Sequence, residues 1–377
     1  MAEILLVGSI ALILFTYFGY PASLLLLGRV CGRDVMKAMI QPTVTFIVTV
    51  HNEEARIRAK LDNTVALDYP KDRLQVLVAS DGSSDRTNEI VRGYSHHGIS
   101  LVDLADRRGK ENAQREAVKR ATGDIIVFSD VATTMETGGL GQLVSNFADP
   151  SVGCVSSEDR LLGKDGKPSG EGLYIRYEMW LRRLESRANS LVGLSGSLFA
   201  ARKEVCEDFS SEMQSDFRTV LNSMKMGLRG VTDPDAVGIY QDTADPKREW
   251  DRKIRTVVRG LTVFFRHLEL LNVFRHGWFS YQLFCHKLLR WSVPLFLILA
   301  FGSNIWLVHV SFAYGILLML QIALYGFGVM GLLKPKMQDI ILVKIPAYFL
   351  AVNASILFAW WRYLSGQRIV TWTPTRR

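Results

Sequence analysis

Cysteine is scarce in this chain. Four occur in 377 residues, Cys31, Cys154, Cys206 and Cys285, with no CxxC pair and no zinc-ligand spacing. A disulfide scaffold and a structural zinc site are thereby excluded, and a reducing compartment fits. Charge is absent from two long stretches, residues 4–28 and 291–333. About 20 apolar residues cross a bilayer core, so the first is long enough for one helical span and the second for two. Residues 340–364 are a further candidate, interrupted only by Lys344 and Arg362. No internal repeat or low-complexity tract divides the remainder, and a 48% hydrophobic content lets it bury one full-sized domain with a smaller appendage.

Residues 4–28 do not read as a signal peptide, because Glu3 precedes them and the run exceeds an h-region. They read as an anchor. Arg29, Arg33 and Lys37 follow, so the positive-inside rule puts the next domain in the cytoplasm, at a plasma (inner) membrane. Acidic residues are the minority, which leaves a net charge of +8. Residues 247–290 carry nearly all of that excess, with ten Lys or Arg against Glu249, Asp251 and Glu269. This basic stretch directly precedes apolar spans. Membrane lipid headgroups or a ligand phosphate explain it better than nucleic acid does.

Between anchor and basic stretch, short β-branched runs alternate with helical patterns. Strands are expected at 43–50, 74–79 and 124–130, and helices at 54–67, 85–94, 110–121 and 217–226. That is an α/β domain with a mostly parallel, Rossmann-like sheet covered on both faces. Ligands of such sheets bind at the carboxyl ends of the strands, where "HNEE" (51–54), "SDGSSD" (80–85) and "SDVATT" (129–134) fall. Gly82 permits a tight turn, Ser83, Ser84 and Asp85 can cap a helix, and Asp81 is left for a polar ligand, although a cap alone is the simpler reading. "GKDGKPSGEG" (163–172) is a loop. Apolar residues at 261, 264, 265, 268 and 271 predict one amphipathic, basic helix within 257–284, lying in the membrane interface.

"TVTFIVTVHNEEARI" and "LQVLVASDGSSDRT" resemble the opening of the inverting family 2 glycosyltransferases, which have a GT-A fold. The resemblance implies that Asp81 reads the nucleobase, uracil or another, of a nucleotide-sugar donor, UDP-sugar first among them. His51 and Glu53 would join the nucleotide pocket. It continues through "RGKENAQREAVKRATGDIIVFSDVATTM", where Lys110 becomes a nucleotide contact and Asp130 the first acid of a DxD-type motif. The motif's third position is Ala132, so of the Mg²⁺ or Mn²⁺ ligands the family implies, one carboxylate is missing and Asp130 remains as metal ligand or ribose contact.

"GLSGSLFAARKEV" resembles the loop that meets the acceptor, which implies roles for Ser195, Gly196 and Ser197. A hydrolase GxSxG elbow is excluded because Ser197 stands at the last glycine. In "MQSDFRTVLNSMKMG", Asp216 matches the family's general base, the group an attacking hydroxyl needs; a first-turn helix acid is the alternative. Processive relatives, the cellulose, hyaluronan, chitin and poly-N-acetylglucosamine synthases, carry QxxRW where this chain reads "REWDRKIRTVVRG". An RxxR pattern is left. Arg255 would neutralise the departing diphosphate, with Arg252 beside it, or these arginines face lipid phosphates.

The expected organisation is an anchor at 1–28, a cytosolic GT-A domain at 38–246, basic interface helices at 247–290, about three transmembrane helices at 291–364 and a basic tail at 365–377. Addition of sugar to a growing polysaccharide, with possible export partners, leads the functional readings. Single-sugar transfer to a polyprenyl-phosphate or other lipid, and a degenerate nucleotide- or polymer-binding domain, are the alternatives. Topology holds a conflict: four spans from an outside N-terminus leave the C-terminus outside, yet Arg362, Arg368, Arg376 and Arg377 ask to be inside. Either 340–364 does not fully cross or another span is miscounted.

Overall fold

The computed structural model describes residues 1–162, 172–207, 213–241 and 246–367. The loop at 163–171 and the tail from 368 lie outside the described residues. Two compact units emerge. One holds Leu24–Ala244 and Thr262–Gln282; the other holds Met1–Ser23, Asp245–Leu261 and Leu283–Arg368.

In the first unit the elements alternate as the sequence pattern requires. They are β1 (Val44–Val50), α2 (Ile57–Val65), β2 (Leu74–Asp81), α3 (Thr87–Arg92), β3 (Ile99–Leu104), α4 (Lys110–Val118), β4 (Ile125–Asp130), α5 (Gly139–Ser145), β5 (Val152–Leu162), α6 (Gly172–Ala188), β6 (Leu198–Arg202), α7 (Ser215–Lys225) and β7 (Arg229–Gln241), after α1 (Ala2–Val30) of the N-terminus. Their sheet order is β3-β2-β1-β4-β6-β5-β7. β3, β2, β1 and β4 are parallel, whereas β6 runs antiparallel between β4 and β5. All seven residues of β1 are buried, as a strand covered by helices on both faces must be. β3 is absent from the sequence reading: only Ile99 and Val102 of its six residues are buried, the profile of an edge strand with too few apolar residues to announce itself. β6 running against its neighbours brings residues 195–197 to the same end of the sheet as the carboxyl ends of β1, β2 and β4.

One interface helix over 257–284 is not what forms. α8 (Pro246–Phe265) ends, a 3₁₀ turn covers Leu268–Leu271, Asn272 caps the single turn Val273–His276, and Gly277 turns at φ +54° before α9 (Trp278–Leu307) begins. Asn272 accepts from the amide of Phe274, and glycine alone takes Gly277's backbone without strain, so local turn chemistry overrides the apolar spacing.

Within the second unit α1, α9, α10 (Phe312–Leu333) and α11 (Ile341–Leu364) are each long and apolar enough to cross a membrane. α1 and α9 pack antiparallel: Leu6 joins Ala300 and Leu307, and the Tyr314 hydroxyl donates to Glu3. Each contains a π-turn, Phe15–Gly19 in α1 and Phe284–Leu289 in α9, and the two turns lie against each other.

Candidate active site

The candidate residues converge at the carboxyl ends of the parallel strands. Asp81 closes β2 with its side chain wholly buried. Its Oδ1 accepts from the amide of Arg108 and its Oδ2 from that of Gly109, both at 2.8 Å. Gly82, at φ +63°, comes so close that a Cβ there would sit 2.7 Å from the Arg107 nitrogen. The carboxylate expected to meet a nucleobase therefore first fastens the 106–109 loop that aims Lys110. His51 Nδ1 meets the Asp81 carbonyl at 2.7 Å, which ties the end of β1 to the end of β2.

Lys110 begins α4 and stands at the centre. Its Nζ pairs with Asp130 Oδ1 and donates to the Gly196 carbonyl at 2.9 Å. Asp130 ends β4, and its amide donates to the Ser197 carbonyl. Gly196 in turn lies against the base candidate: a Cβ on it would be 2.8 Å from Asp216 Oδ2. Asp216 sits in the first turn of α7, accepting from the Phe217 amide and from Gln214 Nε2. The positive end of the helix suits an anion there, and each carboxylate oxygen keeps a lone pair. Six separated positions, 51, 81, 110, 130, 196 and 216, thus form one contiguous set of contacts.

Glu53 is buried beside it, held by both arms of Arg56. Burial raises its carboxyl above the ordinary range against the opposing pull of Arg56. Ser195 and Ser197 both donate to Asp159 Oδ1, at 2.6 and 3.2 Å, so their hydroxyls are oriented by a residue of β5 that no motif marks. Lys60 is the other residue missed. It is fully buried on α2, donates to Ser129 Oγ at 2.7 Å and the Thr133 carbonyl at 2.5 Å, and brackets the Asp130 loop. Burial pulls its ammonium down to about 7, with the nearby Asp130 charge opposing. Its signal was present in the spacing: Ile57, Lys60, Leu61 and Thr64 share one inward face, with lysine at a core position.

Arg252 and Arg255 lie on α8, in the other unit; Arg252 is bidentate to Glu249 one turn earlier. A metal cage is not built here. Asp130 offers one carboxylate, already paired with Lys110; Ala132 offers none; and among the described residues no group of three His, Cys, Asp or Glu could hold an ion. The residues present do not fit a protein-only site for a hard cation, which wants about six oxygens.

Residues 45–209 match the family model for glycosyl transferase family 2. They form a family 2 glycosyltransferase domain. A poly-beta-1,6-N-acetyl-D-glucosamine synthase of Staphylococcus aureus (strain COL) is 28% identical over 195 residues, 50% of this chain and 46% of that protein. Its Staphylococcus epidermidis counterpart is 26% identical over 170 residues, 44% of this chain and 40% of its own. The matched region spans less than half the length of either relative. Among solved structures, mannosyltransferase PcManGT of Pyrobaculum calidifontis, determined with GDP-Man and Mn²⁺, superposes with a TM-score of 0.75 at 25% identity, over 98% of this chain and 100% of that one. The sheet and its helices are the GT-A fold.

Proposed function

We propose that the protein transfers a sugar, with inversion, from a nucleotide-sugar to a growing polysaccharide at the membrane. One observation carries this reading: the continuous contact path from Asp130 through Lys110 and Gly196 to Asp216. On this reading Lys110 supplies a cation for the departing diphosphate, and Asp216 a carboxylate for the proton of the acceptor hydroxyl. Asp216 takes that proton as the hydroxyl oxygen bonds to the anomeric carbon and the bond to the diphosphate breaks. Lys110 exchanges Asp130 for the departing diphosphate, meeting charge that grows in the transition state. His51, Glu53 and Asp81 shape the nucleotide side, and Ser195 and Ser197, oriented by Asp159, shape the acceptor side. A UDP-sugar is the donor proposed first, and the names of the synthase relatives support a polymer as product.

A second donor, a GDP-sugar, is supported by the likeness to PcManGT along the whole chain. Membranes containing the protein, supplied with radiolabelled UDP-N-acetylglucosamine or GDP-mannose, separate the readings by product size. Polymer from UDP-N-acetylglucosamine is expected. A single-sugar lipid transfers the reading to a lipid acceptor, and no product from any nucleotide-sugar overturns catalysis.

A further inference from the structure

α11 has the length and composition of a fourth crossing, but its contacts place it differently. α1 and α9 supply a ruler, because they pack antiparallel from Leu6 against Ala300 and Leu307 to Phe15–Gly19 against Phe284–Leu289. Two side-chain contacts mark the place of α11 on that ruler. The Phe349 ring meets the Tyr17 ring at 5.8 Å, inside the facing π-turns. The Trp360 indole donates to the Trp291 carbonyl at 2.9 Å, two residues beyond them. At 1.5 Å per residue these marks are roughly 5 Å apart along α9, whereas Phe349 and Trp360 are roughly 16 Å apart along α11. α11 therefore lies across the pair, near the end where α9 begins.

A second set of contacts agrees. On α8, Lys253 stands over the Tyr348 ring at 4.6 Å, and Gly260 packs against the indole of Trp291, the residue that Trp360 bonds. α8 thus accompanies α11 over the same stretch. A helix bearing Arg252, Lys253, Arg255 and Arg259 sits at headgroup depth, because such charge is expensive in hydrocarbon. The start of α11 is fixed at this level too: Gly328 and Gly331, at the end of α10, admit Pro346, Ala347 and Val343 at close range.

We infer that Ile341–Leu364 is an in-plane helix of the leaflet at which α9 begins, seated in phospholipid headgroups through Lys344 and Arg362, rather than a fourth span. Its exposed Leu342, Ile345, Trp361 and Leu364 meet acyl chains, while Lys344 and Arg362 reach lipid phosphates. The chain then crosses three times, and Gln367 stays on the side of Pro335–Asp339. The arginines at and after the end of α11 no longer contradict the positive-inside rule. This inference rests on α1, α9 and α10 crossing and is independent of the sugar chemistry.

Labelling in sealed membranes tests it. In a Cys31→Ser background, His309→Cys, Lys336→Cys and Gln367→Cys are exposed to an impermeant maleimide from each side. Lys336→Cys and Gln367→Cys are expected to react from one side, and His309→Cys from the other. Gln367→Cys reacting with His309→Cys makes α11 a span and overturns the inference, as does Lys336→Cys reacting with His309→Cys. Green fluorescent protein and alkaline phosphatase fused after residue 336 and, separately, after residue 377 give a thiol-free reading. The two sites must report the same side; opposite reports overturn the inference.

Discussion

At the scale of single residues, the site depends on close approaches that a few atoms would spoil. Asp216→Asn removes the proton acceptor and leaves the fold intact, so turnover should fall by about 10² to 10⁴ while nucleotide-sugar binding stays near wild type. Equilibrium binding and initial rates on one preparation check this, and unchanged turnover would return Asp216 to the role of a first-turn helix acid. Gly196→Ala tests the same carboxylate from outside. A methyl 2.8 Å from Asp216 Oδ2 forces the group aside, and displacement of about 1 Å costs up to roughly 10² in rate. Stability should hardly change, so a large drop in melting temperature would show that Gly196 serves the fold. Lys60 predicts a pH effect. Its folded pKa, about 7, lies below the ordinary lysine value of 10.5, so the unfolded chain binds more protons between those values and stability should rise with pH across that window. In Lys60→Met that rise should be lost, as read by thermal unfolding at pH 7 and pH 10. Asp81, Lys110, Asp130 and Asp216 were legible because each ends a strand or starts a helix in a recognisable order. Asp159 was not, since its orienting bonds to Ser195 and Ser197 join β5 to the segment before β6, more than 30 residues on in sequence.

At the scale of elements, periodicity recovered what burial dictates and failed where turns or edges decide. β1, β2 and β4 stand within two residues of their expected ends, because an apolar run buried on both faces leaves little choice. Of the five apolar residues spaced over 257–284, Leu261 and Phe264 are buried, whereas Phe265 and Leu268 are exposed, so the pattern holds for one stretch only. It could not show that Asn272 and Gly277 break the helix between them. Glycine also decides how α10 and α11 meet. A Cβ at Gly331 would fall 2.7 Å from the Ala347 Cβ and 2.8 Å from Val343 Cγ1, whereas one at Gly326 meets nothing within 4 Å. Gly331→Val should therefore destabilise the protein in detergent by about 1–3 kcal/mol through overpacking, and Gly326→Val should be mild. Equal melting temperatures for the two variants would mean that the helices separate readily.

At the scale of the whole molecule, Asp216 belongs to one compact unit and Arg255, which the family resemblance makes a diphosphate contact, to the other, so the role of Arg255 is a matter for experiment. Arg255→Lys should lower turnover and weaken inhibition by the nucleoside diphosphate product, because an ammonium does not reproduce the guanidinium fork. Arg259→Lys, one helical turn later, should be mild and controls for charge at the membrane surface. If both behave alike, the arginines of α8 serve the bilayer. The sequence carried the membrane character of the second unit in its missing charges. The direction of α11 was not legible, since length and hydropathy are identical for a helix that crosses and one that lies flat.

The facing π-turns of α1 and α9 bear on how such a chain can change by descent. A π-turn holds one residue more than regular winding needs, and each residue turns a helix by about 100°. Loss of a single codon within Phe15–Gly19 would leave the hydropathy of α1 untouched but swing everything before it by that angle, carrying Leu6 off Ala300 and Leu307 and Glu3 off Tyr314. Descendants shortened there are expected either to shorten Phe284–Leu289 as well or to rebuild the apolar contacts of the first two turns. A gap in one segment, matched by a gap some 270 positions later, would be the mark this packing leaves in a family of aligned sequences.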